Sequence, residues 1–594
     1  MASLRFGFYL LTFWSISFPA FADAPAALNF NLAQQTPPPR PAPLNFNSPL
    51  VQGTQIILNG QTFSGNWSQW QVNGVTRIGL SDAVLTQRFG ADLLSTNDAS
   101  RQPIQWFSEA VFPTRLAPPL RYLDVTEFAQ RNGWQIQISG NTLQITTPIA
   151  NLTVIQQEQS APNVDRITIS LDRPITWQAD PQLNELVLTL DAQVDQNQLG
   201  KFKPTPASRI RSLTVQPSGN RTIVRIGVPL SLRSRITTAS SPDRITIEVG
   251  SNFLSDRDIL WANGLFWRQR SLSVGTNQFP IVWLEANPRQ VSIRPILPNS
   301  ATLTGTLPLF TTAQQSLATA AINGGYFNRN NQLPLGAIKS DNRFASGPIL
   351  SRGVVGWDAA GNWRFDRLTL QETVTLSTGQ RFPLTTLNSA FVQAGIARYT
   401  ADWGSTYTTL TDNEILLPVQ NNQTGTQQAV PTAGTTIQIP TTGYLLVFRS
   451  NRTAAAAFTP AIPVQLESAF NLPDLAAFPN LIGGGPLLIR NGQIVLDGRL
   501  EQFSTAFIQE RAARSAIGQT ADGRILIVTA QNNTSGVGAS LSDMAQIMQQ
   551  LGAVNALNLD GGSSTTLYLG GQLLDRPARS AARVHNGIGI FLQP

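Results

Sequence analysis

A single acidic residue stands between an apolar run and a glycine pair in the stretch NALNLDGGSSTTLYLGG, Asn555 to Gly571. The apolar run, Val554 to Leu559, is typical of a short buried strand that ends directly before Asp560. A carboxylate held at such a position can accept a proton or attack an electrophilic carbon. The spacing therefore makes Asp560 the first candidate catalytic residue.

A helix is predicted immediately ahead of this strand, in SLSDMAQIMQQLG. Ser540 is placed to cap the helix, and Asp543, three residues later, is placed to reach back to the cap. Gly552 supplies the helix end. Asp543 is therefore assigned to the helix cap and not to chemistry.

Glycine clusters follow apolar runs at three places: AAINGGYF near Asn323, NLIGGGPLLIRNG near Gly483, and ALNLDGGSS at Asp560. Because glycine lacks a Cβ, paired glycines at a strand end let the backbone approach a ligand and turn its amides toward an anion. Three such junctions in one stretch of chain predict that they meet in one site.

The same segments carry a family resemblance. INGGYF, LPLGAIKSDNR, RSAIGQTADGRILIV, GVGASLSDMAQIMQQLGAVNALNLDGGSSTTLYLGG and ARVHNGIGIF together resemble the NAGPA-type phosphodiester glycosidase family, in unbroken motif order. The resemblance implies a catalytic domain over residues 260–594 that hydrolyses a glycosyl phosphodiester. The residues that it places on family motifs are Asn323, Gly324, Gly325, Asp341, Arg343, Arg514, Asp560, Gly561, Gly562 and Arg583.

A sugar phosphodiester needs cation and amide contacts to its phosphate and a carboxylate near its anomeric carbon. We expect Asp560 to act as base or nucleophile, Arg514 and Arg583 to clamp the phosphate, and Asn323 to orient the sugar or water. The predicted catalytic residues are thus Asp560, Arg514 and Asn323. The predicted substrate-binding residues are Gly324, Gly325, Asp341, Arg343, Gly483, Gly484, Gly561, Gly562, Ser563 and Arg583.

The chain departs from the family pattern at three points. Gln531 and Asn532 stand where relatives usually have Asp-Gly, Ser563 replaces a third glycine, and Ala512-Ala513 replaces a His-Pro often seen in bacterial relatives. These departures keep open an alternative function, a non-catalytic protein that binds envelope polysaccharide or peptidoglycan. A third alternative is a structural role in polysaccharide export.

The amino terminus predicts export. One positive charge at Arg5, an apolar run from Phe6 to Phe18, and small residues at Ala20 and Ala22 are typical of a secretory signal peptide over residues 1–22. The proline-rich stretch TPPPRPAP marks residues 23–50 as a linker. No later segment offers a membrane span, so we expect a periplasmic or extracellular protein associated with the cell wall.

Two units are predicted between the linker and the catalytic domain. Residues 51–148, with a helix in YLDVTEFAQRNG and a hairpin in WQIQISGNTLQI, resemble the small α+β domain at the amino terminus of some copper amine oxidases. Residues 150–250 contain recurring strand patterns, RITISL, LVLTL, RTIVRI and RITIEV, that resemble AMIN-type domains and predict two β-sandwich-like repeats. The predicted fold class is multidomain: an α+β catalytic domain with mixed sheets and flanking helices follows these two units.

Composition excludes several kinds of site. The chain has no cysteine and one histidine, so disulfides, thiol chemistry and Cys/His metal sites are ruled out. Its net charge of +7 comes almost entirely from arginine, which suits partners that carry phosphate or carboxylate. We expect cell-wall or extracellular polysaccharide as the partner, no nucleic acid, no metal site and no cofactor, with a divalent cation left open.

Overall fold

The computed structural model describes residues 50–593 with short gaps at 162–163, 196–198, 200–202, 205–208, 230–231, 251–253, 300–302 and 534. The predicted signal peptide and nearly all of the predicted linker lie outside the described residues. The described residues belong to one unit, Ser48–Pro594. None of its helices, within the described part of the chain, has the length and apolar character needed to cross a membrane.

The first part of the chain forms a nine-stranded sheet with two short helices. Strand order is β4-β5-β6-β7-β3-β2-β1-β9-β8. The predicted helix is present as α2, and the predicted hairpin at Gly140 and Asn141 is confirmed because β8 and β9 pair antiparallel around it. The elements are β1 Val51–Leu58, β2 Gln61–Val72, β3 Val75–Ser81, α1 Asp82–Arg88, β4 Asp92–Leu93, β5 Arg101–Trp106, β6 Ser108–Ala117, β7 Leu120–Asp124, α2 Thr126–Arg131, β8 Gln135–Ser139 and β9 Thr142–Thr146.

The middle part forms two sheets, ordered β14-β10-β11-β18-β17 and β12-β13-β16-β15. The recurring patterns lie on β11, β13, β16 and β18, with β11 paired to β18 and β13 paired to β16. The two halves, β10 to β14 and β15 to β18, therefore share both sheets and do not form separate sandwiches. The strands are β10 Ala150–Ala161, β11 Val164–Leu171, β12 Trp177–Pro181, β13 Glu185–Leu190, β14 Ala192–Val194, β15 Ser212–Ser218, β16 Arg221–Gly227, β17 Arg233–Ala239 and β18 Arg244–Gly250.

The carboxyl-terminal part is built mainly from strands. Its elements are β19 Arg257–Ala262, β20 Leu265–Val274, β21 Asn277–Ala286, β22 Val291–Ile296, β23 Leu307–Pro308, α3 Leu309–Gln315, β24 Ala320–Asn323, β25 Phe327–Asn328, β26 Leu333–Pro334, β27 Ile338–Ser340, β28 Arg343–Ser346, β29 Gly353–Trp357, β30 Trp363–Arg367, β31 Leu370–Leu376, β32 Arg381–Leu384, β33 Thr386–Leu387, β34 Gly395–Tyr399, β35 Thr406–Thr408, β36 Glu414–Gln420, β37 Gln423–Thr424, β38 Gln428–Val430, β39 Thr436–Gln438, β40 Tyr444–Arg449, α4 Arg452–Ala456, β41 Val464–Phe470, α5 Pro473–Ala476, β42 Asn480–Gly483, β43 Leu487–Arg490, β44 Gln493–Ile494, α6 Thr505–Gln509, β45 Arg514–Thr520, β46 Ile525–Ala530, α7 Leu541–Gln550, β47 Ala553–Asn558, β48 Leu567–Leu569, β49 Gln572–Leu573, β50 Arg583–Val584 and β51 Gly587–Leu592.

These strands form several sheets, of which two position the site. The orders are β19-β20-β21-β46-β45-β47-β43-β44 and β22-β51-β24-β48-β49. The protein is multidomain and mostly β with few helices, so the prediction of flanking helices is met only in part: α7 packs against the first of these sheets. Short hairpins connect antiparallel neighbours directly, whereas parallel strands would need crossover helices.

The predicted helix before Asp560 is α7, and its capping box is confirmed: Ser540 accepts from the Asp543 amide, and the Asp543 side chain accepts from the Ser540 amide. Strand β47 follows and pairs antiparallel with both β43 and β45. Since β45 begins at Arg514 and β47 ends at Asn558, both ends lie at the same edge of the sheet.

Candidate active site

Asp560 lies two residues beyond the end of β47, against the first glycine cluster. Its backbone amide donates to the Gly324 carbonyl at 3.0 Å, and its carbonyl accepts from Nδ2 of Asn323 at 2.7 Å. One carboxylate oxygen accepts from the Gly561 amide at 3.0 Å. The backbone at Asp560 is therefore held on both sides, and its carboxylate is held by the amide that follows it.

Burial raises the pKa of Asp560 to about 6. The Ser564 hydroxyl, the Gly561 amide and the positive charge of Arg329 oppose this shift, and the charge of Glu510 adds to it. The Ser564 hydroxyl lies near the carboxylate without the geometry of a formed hydrogen bond. A carboxyl group with a pKa of about 6 can exchange a proton near neutral pH, as a general base or acid must.

Asn323 is fully buried at the end of β24 and has all its polar atoms engaged. Its Oδ1 accepts from the Ser515 hydroxyl at 2.7 Å and from the Thr566 amide at 3.1 Å, while Nδ2 donates to the carbonyl of Asp560. The side chain joins β24 to the loop that carries Asp560. This geometry fits a positioning residue, whereas direct contact with sugar or water stays a prediction.

The glycines of the first cluster are required by close packing between strand ends. A Cβ on Gly324 would lie 2.0 Å from Oδ1 of Asn586, and one on Gly325 would lie 2.1 Å from the carbonyl oxygen of Gly483. The amide of Gly324 donates to the Asn586 carbonyl at 2.9 Å, and that of Gly325 donates to Oδ1 of Asn586 at 2.8 Å. The structure thus brings the three glycine junctions together. The Gly324 and Gly325 amides, however, already donate hydrogen bonds to Asn586.

The amides at the other two junctions are also engaged. The Gly483 amide donates to the Ala337 carbonyl at 2.7 Å, and the Gly484 amide donates to Gly353 at 2.9 Å. The amide of Gly561 donates to Asp560, and that of Gly562 donates to the Ala513 carbonyl at 2.7 Å. The expected anion cradle of glycine amides is therefore already filled by protein acceptors, and the assignment of these glycines to substrate stays a prediction.

Replacing Gly325 with alanine is expected to destabilise the protein by about 3 kcal/mol or more, because the added methyl meets a backbone carbonyl that cannot rotate away. The comparison variant is Gly379→Ala, where nothing lies within 4 Å of the added Cβ and φ is +85°. It should cost only about 1 kcal/mol of conformational strain. Denaturant unfolding measures both, and equal losses would contradict the packing explanation.

Arg514 is 1% exposed at the start of β45 and lies beside the turn after Asp560. Its Nε donates to the Ala539 carbonyl at 3.0 Å and one Nη donates to the Glu510 carbonyl at 2.5 Å. A Cβ on Gly561 would lie 3.8 Å from the other Nη. Burial lowers the pKa of Arg514, and the charge of Asp560 is among those that oppose this shift. The structure therefore brings Arg514 and Asp560 together.

The other predicted arginines lie elsewhere. Arg583 is exposed on β50 and donates to the Thr306 carbonyl and hydroxyl. Arg343 pairs with Asp402 at 2.8 Å. Asp341 and Arg343 lie at the hairpin between β27 and β28, at the end of β27 remote from Gly483, because Ile338 pairs with Ile482 in the antiparallel register. They line a separate cavity of about 580 Å³.

Two arginines that the sequence analysis did not select surround the turn at Gly562 and Ser563. The Arg576 guanidinium donates to the Gly562 and Ser563 carbonyls, each at 3.2 Å. Arg329 is exposed and approaches the Ser563 hydroxyl at 3.5 Å. A cleft of about 420 Å³ opens at this turn, and its lining residues are Arg511, Ala512, Ala513, Gln531, Asn532, Gly562, Ser563 and Arg576.

Gln531, which stands where relatives usually have aspartate, contacts a second buried carboxylate, that of Asp575. Oδ2 of Asp575 accepts from Nε2 of Gln531 at 2.8 Å, and Oδ1 accepts from the Leu567 amide at 2.9 Å. Burial raises the pKa of Asp575 to about 6. An aspartate at position 531 would bring a second negative charge toward Asp575, whereas glutamine donates a hydrogen bond to it.

An aromatic cluster formed by Tyr326, Phe503 and Phe507 lies near Asp560. The Tyr326 hydroxyl donates to the Gly485 carbonyl at 2.6 Å and accepts from Nδ2 of Asn558 at 2.9 Å. Burial raises the pKa of Tyr326, and the charge of Asp560 adds to the shift. The ring packs edge-on against Phe503 and Phe507, each at 5.6 Å between centroids. The Tyr326 hydroxyl also reaches the carbonyl of Leu559 at 3.3 Å, so this cluster lies close to the residue before Asp560.

The sequence contained a partial signal for the residues that were missed. Tyr326 and Arg329 follow the NGG motif within five positions, so their proximity to Asp560 follows once the glycine junctions meet. Arg576 lies between two of the quoted motifs and belongs to neither, and the tertiary structure places it against the Gly562 and Ser563 carbonyls. Among the described residues, no three His, Cys, Asp or Glu side chains are grouped so that they could hold a metal ion.

Comparison with known proteins covers part of the chain around this site. The family model described as phosphodiester glycosidase, NAGPA, matches residues 416–591, which include Arg514 and Asp560. The N-acetylglucosamine-1-phosphodiester alpha-N-acetylglucosaminidases of Mus musculus and Homo sapiens are each 36% identical over 110 residues, or 17% of this chain. The match spans 21% of the length of those relatives.

A similarity over nearly the whole chain is found with a solved structure, described as a hypothetical protein from Synechocystis. It is 41% identical, and the alignment covers 91% of this chain and 99% of that chain with a TM-score of 0.84. Since both the architecture and the sequence correspond over that length, the chain belongs to the same family as the Synechocystis protein, and its residues 416–591 form a phosphodiester glycosidase family domain.

Proposed function

We propose that the protein hydrolyses a glycosyl phosphodiester, with Asp560 as the central catalytic residue. The observation that carries the proposal is the partly exposed Asp560 carboxylate, whose pKa is raised to about 6 beside an arginine-lined cleft in a phosphodiester glycosidase family domain. The substrate proposed is a sugar-1-phosphate diester of envelope or extracellular polysaccharide. N-acetylglucosamine is the first sugar to test, because it stands in the names of the two mammalian relatives.

The reaction breaks the bond between the anomeric carbon and the bridging phosphate oxygen. The ionised Asp560 carboxylate takes the proton from an attacking water, or attacks the anomeric carbon itself before water releases the sugar. The phosphate monoester leaves with the bonding electron pair, so a strong general acid is not required. Arg329, Arg514 and Arg576 lie around the turn beside Asp560, and their positive charge favours departure of the anionic leaving group through space.

The direct test is incubation of the purified protein with simple sugar-1-phosphodiesters, namely the methyl esters of N-acetylglucosamine 1-phosphate and of glucose 1-phosphate. Release of free sugar and of methyl phosphate in equal amounts supports the proposal. An absence of sugar release from both diesters, from protein that is folded by calorimetry, would contradict it.

The rate is expected to follow the ionisation of Asp560. Because a base must be ionised to accept a proton, kcat/KM should be level above about pH 7 and fall about tenfold per pH unit below the pKa of about 6. Initial rates from pH 4 to pH 9 at low substrate concentration measure this. A rate that rises on acidification through pH 6 would assign Asp560 the opposite role, that of an acid.

The competing proposal is a non-catalytic protein that binds envelope polysaccharide or peptidoglycan. The engaged glycine amides favour it, because they leave fewer free donors for a transition state than the sequence pattern implied. Export, the AMIN-like character of residues 150–250 and attachment to the cell wall belong to this proposal as well as to the first. Sedimentation with isolated cell wall, with and without turnover of a diester, separates the two functions.

A further inference from the structure

Arg352 is partly buried and lies beside the aromatic rings of Phe503 and Tyr326. Its guanidinium carbon is 4.1 Å from the ring centroid of Phe503 and 5.9 Å from that of Tyr326. The residue directly precedes β29, whose first residue, Gly353, accepts a hydrogen bond from the Gly484 amide. Arg352 is therefore held where the second glycine junction meets the aromatic cluster.

The Arg352 guanidinium forms no hydrogen bond and no ion pair with any residue that the structure describes. Its Nε is buried without an acceptor. The nearest buried carboxylate, Glu501, is already engaged: it accepts from the amides of Gly353 and Leu487, each at 2.8 Å, and from Nε of Arg367 at 2.9 Å. Burial lowers the pKa of Arg352.

This arrangement is unfavourable for the protein alone. A cation withdrawn from water loses hydration, and the loss is offset only by hydrogen bonds and an opposite charge. Stacking on Phe503 recovers part of the loss, because guanidinium groups stack well on aromatic faces. Nε stays without an acceptor while the two Nη groups reach solvent, so an anion that arrives from solvent can supply the missing acceptor.

Short contacts connect Arg352 with the catalytic carboxylate. The Tyr326 ring lies beside Arg352, and its hydroxyl reaches the carbonyl of Leu559 at 3.3 Å, the residue before Asp560. The pKa of Tyr326 responds to the charges of Asp560, Arg514 and Arg352 together. The Tyr326 side chain therefore lies close to both Arg352 and the residue before Asp560, which places the unpaired guanidinium and the carboxylate in the same region of the site.

We propose that Arg352 binds an oxyanion of the substrate, and that this oxyanion is the phosphate of the glycosyl phosphodiester. The inference rests on the proposed function for the identity of the ligand, and on the geometry alone for the presence of an anion site. The planar guanidinium edge suits bidentate hydrogen bonds to two phosphate oxygens, while its face stays on Phe503.

The test measures anion binding without turnover. Glucose 1-phosphate and the neutral methyl α-glucoside are titrated into the protein in phosphate-free buffer by calorimetry. Glucose 1-phosphate should bind the unchanged protein, Arg352→Met should bind it at least about tenfold more weakly, and Arg352→Lys should fall between. The matched control is Arg364→Met, on β30, whose ion pair with Asp474 at 3.8 Å is on the surface. It should bind as the unchanged protein does.

Three results would overturn the inference: equal binding by Arg352→Met, equal binding of methyl α-glucoside, or no binding of glucose 1-phosphate to the unchanged protein. The thermal unfolding temperature distinguishes an anion-binding arginine from a purely structural one. Without ligand, Arg352→Met should unfold at the same temperature or higher, because an unpaired charge is removed, whereas a purely structural arginine would give a lower temperature.

The outcome for Arg352 is separable from the outcome for the proposed function. If no diester is hydrolysed but Arg352→Met loses glucose 1-phosphate binding, the anion site stands and the hydrolase proposal fails. If diesters are hydrolysed and Arg352→Met leaves kcat/KM unchanged, the hydrolase proposal stands and the Arg352 inference fails.

Discussion

Asp560→Asn is expected to lower kcat on a sugar-1-phosphodiester by about 1,000-fold or more, with little change in fold. Asparagine keeps the size of the side chain and an oxygen that can accept from the Gly561 amide, as the carboxylate does at 3.0 Å. It cannot accept a proton near neutral pH or form a glycosyl ester. Release of free sugar measures the loss, and circular dichroism checks the fold.

The matched control for this prediction is Asp474→Asn. Its side chain is 93% exposed, and its ion pair with Arg364 at 3.8 Å belongs to the class of weak surface pairs. This variant should keep full activity. Activity in Asp560→Asn above about a tenth of the unchanged protein would exclude Asp560 as base or nucleophile and favour the binding-protein alternative.

Stability gives an independent check on the same variant. The pKa of Asp560 is about 6 in the folded protein and near 3.8 in the unfolded chain, so the native state binds protons more tightly. The free energy of unfolding therefore rises as pH falls from about 6 toward 4, because the folded protein takes up a proton at Asp560 before the unfolded chain does. Above pH 6 the buried, ionised carboxylate destabilises the folded state. Asp560→Asn should therefore unfold at a higher temperature than the unchanged protein at pH 7.5, while the difference should vanish near pH 4.

Arg329→Gln is expected to lower kcat/KM by roughly tenfold to a hundredfold, because it removes a positive charge near Asp560 that favours the anionic leaving group. The same change has a second consequence. Since the Arg329 charge lowers the pKa of Asp560, its removal raises that pKa, and the acid limb of the rate profile should move to higher pH. Rates from pH 4 to pH 9 measure both effects.

The shift of the acid limb of the pH–rate profile shows whether Asp560 or Asp575 controls the rate, because burial raises the pKa of Asp575 to about 6 as well. The charges that act on Asp575 come from Arg576 and not from Arg329, so a limb caused by Asp575 would stay in place in Arg329→Gln. The control is Arg364→Gln, which removes a surface arginine from β30. A limb that does not move would contradict the assignment of the rate to Asp560.

Much of the local structure around Asp560 could be predicted from the sequence. The helix α7 with its capping box and the strand β47 are encoded by neighbouring residues, since caps and periodicity act over a few positions, and the same holds for the distant hairpin at Gly140. The meeting of three glycine junctions also follows, because each glycine pair marks a place where strand ends approach closely.

The roles of the glycines and arginines could not be predicted in the same way. Gly324 and Gly325 fit the pattern of an anion cradle, but the acceptors that take their amides come from Asn586, which is far along the chain. The two halves of residues 150–250 repeat one pattern, but whether they pair within or between halves depends on which face each sheet can bury.

By itself, the sequence determined the acidic residue at the end of a buried strand, the helix ahead of it and the glycine junctions, because local propensity and spacing dictate those features. Only the tertiary structure decided which arginines surround that acid. A long side chain reaches across several ångströms to whatever carbonyl or carboxylate the fold presents. Arg583 therefore lies against Thr306, Arg343 pairs with Asp402, and Arg329, Arg352 and Arg576 are left around the Asp560 site.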